Sequence, residues 1–283
     1  MNSLLNEMTS LIARQWIAGT TTNDAMNAAL ETSSTGKLPI LNYLGEAYTK
    51  KQSVEHAIEV YDRLIDHINS SDIHASISVK PSQLGILISK KLFLSSYERV
   101  IEKAEENNLE VWLDMEEYEF IDETIKAYMH MLKEHKNIGI CLQAKLKRTE
   151  KDAMHIARAH GAIRLVKGAY NEPENRAFKS DAQVSRAYIS ILEKINGKAR
   201  SVIIATHDEK LIRKAMKLKR KAKTEMSFAM LRGVRGNLAD ELIGKHQKVH
   251  VYIPFGEEWL AYSIRRLKEL SHALLIIRSV FQQ

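Results

Sequence analysis

Eight short apolar runs, separated by longer amphipathic stretches, constrain this 283-residue chain more than any other feature. They read LPILNYL (38–44), HASISV (74–79), VWL (111–113), IGICL (138–142), AIRLV (162–166), SVIIA (201–205), EMSFAM (225–230) and VHVYI (249–253). Runs of this length, rich in β-branched residues, suit strands buried on both faces. The stretches between them have the helical period instead, as in Val54, Ala57, Ile58, Tyr61, Leu64 and Ile65, or in YERVIEKAEEN, YISILEKI and EKLIRKAMKLKRKAK. Repeated strand–helix units predict an α/β fold, a closed parallel (βα)8 TIM-type barrel, whose typical length of about 250 residues also fits. An open doubly wound sheet would begin with a glycine-rich first turn that this chain lacks, and a smaller sheet with fewer strands is the alternative.

Residues 1–36 read as a helical N-terminal segment that ends in the polar stretch ETSSTG. With four prolines, twelve glycines and no low-complexity linker, residues 1–283 are expected to form one barrel domain. No uninterrupted apolar stretch of about 18 residues is present, and the N-terminus lacks the pattern of a secretory leader. The single cysteine, Cys141, rules out an internal disulfide framework. A cytoplasmic setting is expected, and the net charge of +7 favours anionic partners without choosing among them.

Residues that follow each strand of such a barrel face one common mouth. Here those positions deliver Lys80, Asp114 with Glu116, Gln143, Arg164 followed by Lys167-Gly168-Ala169-Tyr170, Thr206-His207-Asp208 and Tyr252. Each alone has an ordinary explanation: Lys80 as a solvated strand-end charge, Arg164 as the partner of Asp114 or Glu116. Their convergence on one rim is more than scattered surface polarity produces. Past the last run, EEWLAYSIRRLKEL sets Trp259, Tyr262 and Arg266 near one helical face with Arg265 adjacent, and a pair of arginines can grip a carboxylate by parallel hydrogen bonds. The histidines have no metal-ligand spacing, and neither a phosphate-binding glycine loop nor a GxSxG elbow is present. The basic stretch 210–223 keeps an apolar side, as an outer helix of the barrel requires, and has no interleaved aromatics for nucleic-acid stacking.

These motifs together resemble the FAD-dependent proline dehydrogenases, whose fold is a distorted (βα)8 barrel. The resemblance is carried by LGE (44–46), SVKPSQLG (78–85), LDMEE (113–117), LQAKLKRT (142–149), RLVKGAY (164–170), ATHD (205–208) and VYIPFGEEWLAYSIRRLKE (251–269). It implies that Lys80, Arg265 and Arg266 hold the carboxylate of L-proline, that Tyr170, Tyr252 and Tyr262 wall the pocket, and that Leu231 packs on the ring. Asp114 would orient Tyr252. Gln143, Arg164, Lys167, Gly168, Ala169, Thr206 and His207 would contact FAD, with no metal involved. The implied reaction is hydride transfer from proline to the flavin, giving 1-pyrroline-5-carboxylate for a separate dehydrogenase, with electrons passing to a quinone or other acceptor, possible at the inner face of a membrane. The chain departs from the family pattern at Lys145, Asn171, Ser227, Ala229 and Arg232, positions that bear on flavin stacking and one side of the pocket. Two other readings stay open: a barrel aldolase or lyase with Lys80 or Lys167 as a Schiff base, and a non-catalytic protein that binds anionic membrane or nucleic acid.

Overall fold

A computed structural model of the chain describes residues 15–260 and 262–263. Eight strands close into one barrel in sequence order: β1 (Leu38–Tyr43), β2 (Ser76–Val79), β3 (Glu110–Leu113), β4 (Ile138–Gln143), β5 (Ala162–Val166), β6 (Ser201–Ala205), β7 (Glu225–Leu231) and β8 (Val249–Phe255). Every neighbouring pair is parallel, including β8 with β1. All eight predicted runs become strands, among them EMSFAM, whose period is the least regular. HASISV starts later than expected, at Ser76, and the last strand runs on to Phe255.

The helices are α1 (Thr22–Ser34), α2 (Lys51–Asn69), α3 (Lys90–Glu106), α4 (Ile121–Met131), α5 (Thr149–Arg158), α6 (Asp181–Ile195), α7 (Glu209–Lys219) and α8 (Gly236–Gly244). Their starts follow local hydrogen-bond chemistry. Thr21 and Asp24 form a capping box at α1, Ser180 and Gln183 another at α6, while Ser89 and Asp208 cap α3 and α7. Each helix lays its apolar stripe on the sheet; in α2 these are Val54, Ala57, Ile58, Tyr61, Leu64 and Ile65, all essentially inaccessible.

The predicted helical segment 1–36 is helical at Thr22–Ser34, whereas 15–21 is not, and residues 1–14 lie outside the described part. Helix α1 precedes the first strand, yet it packs against both β1 and β8. It fills the outer-layer position that an ideal barrel gives to the helix after its last strand. After β8 the chain instead turns helical over the barrel mouth, where Tyr262 packs with Trp16, Leu44 and Leu231. This exchange is the physical content of the distortion expected from the resemblance.

Inside the barrel, Ile40, Trp112, Ala162, Ile203 and Ala229 form a packed layer. Room for the Trp112 indole comes from the next strand, since a Cβ on Gly139 would stand 2.4 Å from that ring. Residues two apart on a strand share a face, so the positions next toward the C-terminal end also point inward. Those positions are Asn42, Asp114, Arg164, Leu231 and, beside Ile40, Tyr252.

Candidate active site

Asp114 is the centre of the mouth. Its Oδ2 accepts hydrogen bonds from the Lys80 ammonium at 3.0 Å and the Tyr252 hydroxyl at 2.8 Å. Its Oδ1 accepts from the Ser78 hydroxyl at 2.8 Å and from the Arg164 guanidinium. Arg164 Nη2 also donates to Ser78 Oγ at 3.0 Å, and its plane lies 5.3 Å from the Tyr252 ring and 5.6 Å from that of Trp112. Lys80, Asp114 and Arg164 are 7%, 9% and 3% exposed, so these charges stand in a low dielectric and depend on one another.

Burial pushes the Asp114 carboxyl up, but Lys80 and Arg164 outweigh it and hold the group at about 2. The same pairing keeps Lys80 protonated against the burial that opposes its charge. Arg164 is likewise held as a cation. Two residues further on, burial raises the Glu116 carboxyl to about 7, with Lys80 only partly offsetting it. Glu116 accepts from the backbone N–H and hydroxyl of Ser82, each at 2.7 Å, and its own carbonyl accepts from Gln143 Nε2 at 2.7 Å. Glu116 therefore ties the loop after β2 to its own loop after β3 through its carboxylate, and that loop to the end of β4 through its backbone carbonyl.

Of the residues predicted from sequence, Lys80, Asp114, Arg164 and Tyr252 meet directly. Tyr170 stands near Lys80, and Leu231 and Tyr262 share an apolar cluster that Tyr252 flanks. Gln143 Oε1 and Arg164 Nη1 are buried and find no hydrogen-bond partner among the described residues. Gly168 has φ +108°, and a Cβ there would stand 3.0 Å from Gln143 Oε1, which brings the end of β5 close against Gln143. Ala169 is exposed beside it.

Three predicted residues are engaged in other ways. The Lys167 ammonium lies between Asp181 and Asp208, at 2.7 Å from each. Thr206 is buried and its hydroxyl accepts from the Asp208 N–H at 3.1 Å. His207 Nε2 accepts from the Leu231 N–H at 2.9 Å, locking the end of β7 to that of β6. Arg265 and Arg266 lie outside the described residues. Among the positions that depart from the family pattern, Lys145 donates to the Tyr170 carbonyl at 2.7 Å, Arg232 pairs with Glu31 of α1 at 3.2 Å, Ser227 contacts His250 at 3.1 Å, Ala229 belongs to the interior layer, and Asn171 is exposed.

Sequence reasoning passed over Asn42 and Ser78. Asn42 donates to the Ser78 carbonyl at 2.8 Å and accepts from Lys80 at 3.4 Å. A lone Asn in LPILNYL and alternating serines in SISV were the available signals, because a polar side chain inside a strand with both faces buried must point to a partner.

Lysine activation as a Schiff base needs a neutral amine. Lys80 beside Asp114 and Lys167 between two aspartates are both held charged, so neither is placed for that chemistry. Among the described residues no group of three or more His, Cys, Asp or Glu could hold a metal ion. No described helix is long and apolar enough to cross a membrane.

A closed parallel barrel with a buried, polarised cluster at the C-terminal ends of its strands is the architecture of a barrel enzyme. A family model described as proline dehydrogenase matches residues 25–273, and the chain belongs to that family. Proline dehydrogenase 2 of Bacillus subtilis (strain 168) is 29% identical, the match covering 95% of this chain and 91% of that one. The proline dehydrogenase of Deinococcus radiodurans is 28% identical over 91% of this chain and 86% of its own. Among solved structures, proline utilization A (PutA) from Bdellovibrio bacteriovorus inactivated by N-propargylglycine superposes with a TM-score of 0.86 at 20% identity, over 94% of this chain. This chain spans 33% of that much longer protein.

Proposed function

We propose that the chain is a flavoenzyme that oxidises L-proline to 1-pyrroline-5-carboxylate, the first step of proline catabolism. The observation that carries this reading is the cluster in which Lys80, Arg164 and Tyr252 converge on Asp114, in a chain of the proline dehydrogenase family. Two cations against one carboxylate leave one net positive charge, which the carboxylate of an amino acid offsets. Lys80, with Arg265 and Arg266, holds that carboxylate, and Tyr170, Tyr252, Tyr262 and Leu231 enclose the ring. Asp114 fixes the Tyr252 hydroxyl through its 2.8 Å hydrogen bond.

FAD suits the residues at the ends of β4 to β6. Gln143 Oε1 and Arg164 Nη1, both buried without a hydrogen-bond partner among the described residues, offer an acceptor and a donor for the polar edge of a flavin ring. Gln143, Arg164, Gly168, Ala169, Thr206 and His207 line that side, and Lys167 contributes from its place between Asp181 and Asp208. When bound, FAD supplies the acceptor for the hydride that leaves the carbon next to the proline nitrogen. Arg164 places positive charge where negative charge then accumulates. The substrate amine must be neutral for its lone pair to form the C=N bond, and the surrounding cations favour that form.

The deciding experiment is the visible spectrum of the protein loaded with FAD, before and after anaerobic L-proline. Bleaching of the flavin bands with formation of 1-pyrroline-5-carboxylate is expected. In turnover, electrons would pass on to a quinone or similar acceptor and the product to a separate pyrroline-5-carboxylate dehydrogenase. Flavin that stays oxidised would overturn the reading.

A further inference from the structure

The segment ahead of α1 runs beside the ends of β7 and β8 and is tied down at several points. The Ala18 N–H donates to the Pro254 carbonyl, and the Gly256 N–H to the Gly19 carbonyl, each at 2.9 Å, fastening the segment to the end of β8. At its other side it rests on the turn after β7: a Cβ on Gly233 would stand 1.9 Å from the Gln15 carbonyl oxygen, and Gly233 has φ +71°. This strap carries Trp16 into the protein, 3% exposed, in a cluster with Ile17, Leu44, Leu231 and Tyr262.

Leu231 and Tyr262 are the side chains that enclose the substrate ring in the function proposed above, and this inference rests on that reading. Both share one buried cluster with the Trp16 indole. A side chain in a close-packed layer holds its rotamer only while the neighbour behind it fills its volume. We infer that Trp16 is a positioning residue for ring size: by backing Leu231 and Tyr262 it sets the apolar wall at the width of a five-membered imino acid. The polar side of the pocket, Lys80 and Asp114, stands at the ends of β2 and β3 and is held by Asn42, Ser78, Arg164 and Tyr252, so selectivity for the ring and grip on the carboxylate are assigned to different parts of the fold.

Trp16→Ala opens space behind both wall residues, which can then recede and admit one more ring methylene. Proline and pipecolate differ by that methylene, and one methylene in an apolar pocket is worth roughly tenfold or more in discrimination. The test compares kcat/KM for the two substrates in the wild-type holoenzyme and in Trp16→Ala. A rise of about tenfold in the pipecolate-to-proline ratio, driven by KM for proline going up and KM for pipecolate coming down, is expected. General loosening lowers both substrates together and leaves the ratio where it was, and that outcome overturns the inference. Trp16→Phe serves if the alanine variant does not fold; it removes less volume, and its ratio must move the same way by less, an unmoved ratio again refuting the role. A wild-type protein that proline does not reduce removes this inference and the proposed function together, whereas an active wild type with an unmoved ratio removes only the role of Trp16.

Discussion

A carboxylate that serves two cations and a phenol at once cannot be replaced without consequences for all of them. Asp114→Ala leaves Lys80 and Arg164 buried side by side without their shared anion, which costs about 3 kcal/mol or more in stability when a buried pair is broken. A urea melt of the apo-protein reads that loss. Arg164→Met removes the only cation in contact with both Trp112 and Tyr252 rings among the described residues. It is expected to weaken FAD binding and lower the flavin reduction potential, and an unchanged potential would place Arg164 away from the ring. If Arg265 and Arg266 hold the substrate carboxylate as proposed, Arg265→Met and Arg266→Met each lose a charge-assisted hydrogen bond to it and are expected to raise KM for proline by about tenfold or more with a smaller effect on kcat.

At the scale of elements, the barrel interior is filled by one large residue facing one absent side chain. Gly139→Ala would put a methyl 2.4 Å from the Trp112 ring across the β3–β4 pairing. Overpacking of this kind costs about 1–3 kcal/mol, and the denaturation midpoint should fall accordingly. Helix α7 poses the opposite question, because its outer face is open: Lys210, Arg213, Lys214, Lys217, Arg220, Lys221 and Lys223 are all exposed along α7 and the turn that follows it. If this face meets an anionic membrane where a quinone acceptor resides, the protein co-sediments with anionic vesicles at low salt and is released at high salt. Absence of binding at low salt would leave the basic face as simple solvation.

For the whole molecule, the pH response combines buried groups of opposite sign. Burial, with Lys248 and Arg164 adding to it, holds His250 down at about 3, so acid below its ordinary 6.5 favours the unfolded chain. Glu116 works the other way between about 7 and its ordinary 4.5, where the folded form binds the extra proton and stability rises as pH falls. The two offset each other down to 4.5; below that, Asp114, held at about 2 against 3.8, joins His250 and stability drops. A denaturant midpoint that is nearly flat from 6.5 to 4.5 and then falls is the expected profile. A steep fall beginning at 6.5 would mean that Glu116 is ionised in the fold. Turnover should show a rising limb with pH, set by the bound amine, and that limb should persist in Glu116→Gln.

The strands, their order and the polar residues at their ends were legible in the sequence, because buried parallel strands must be continuously apolar and catalytic side chains of a barrel gather after them. That is why Lys80, Asp114, Arg164 and Tyr252 could be named from position alone. What sequence could not carry is pairing across the barrel. Asn42 and Ser78 act in the site because the parallel register of β1, β2 and β3 sets them beside Lys80 and Asp114. His207 was named from its motif, but the hydrogen bond its ring accepts from the Leu231 N–H, 24 residues away, could not be read from that motif. Trp16 carried no signal, since its partners beyond Ile17 come from the ends of β1 and β7 and from the segment after β8, which meet only in three dimensions. Local periodicity determined which residues form strands and helices; only closure of β8 onto β1, which brings the chain's early and late segments over one mouth, decided which side chains act together.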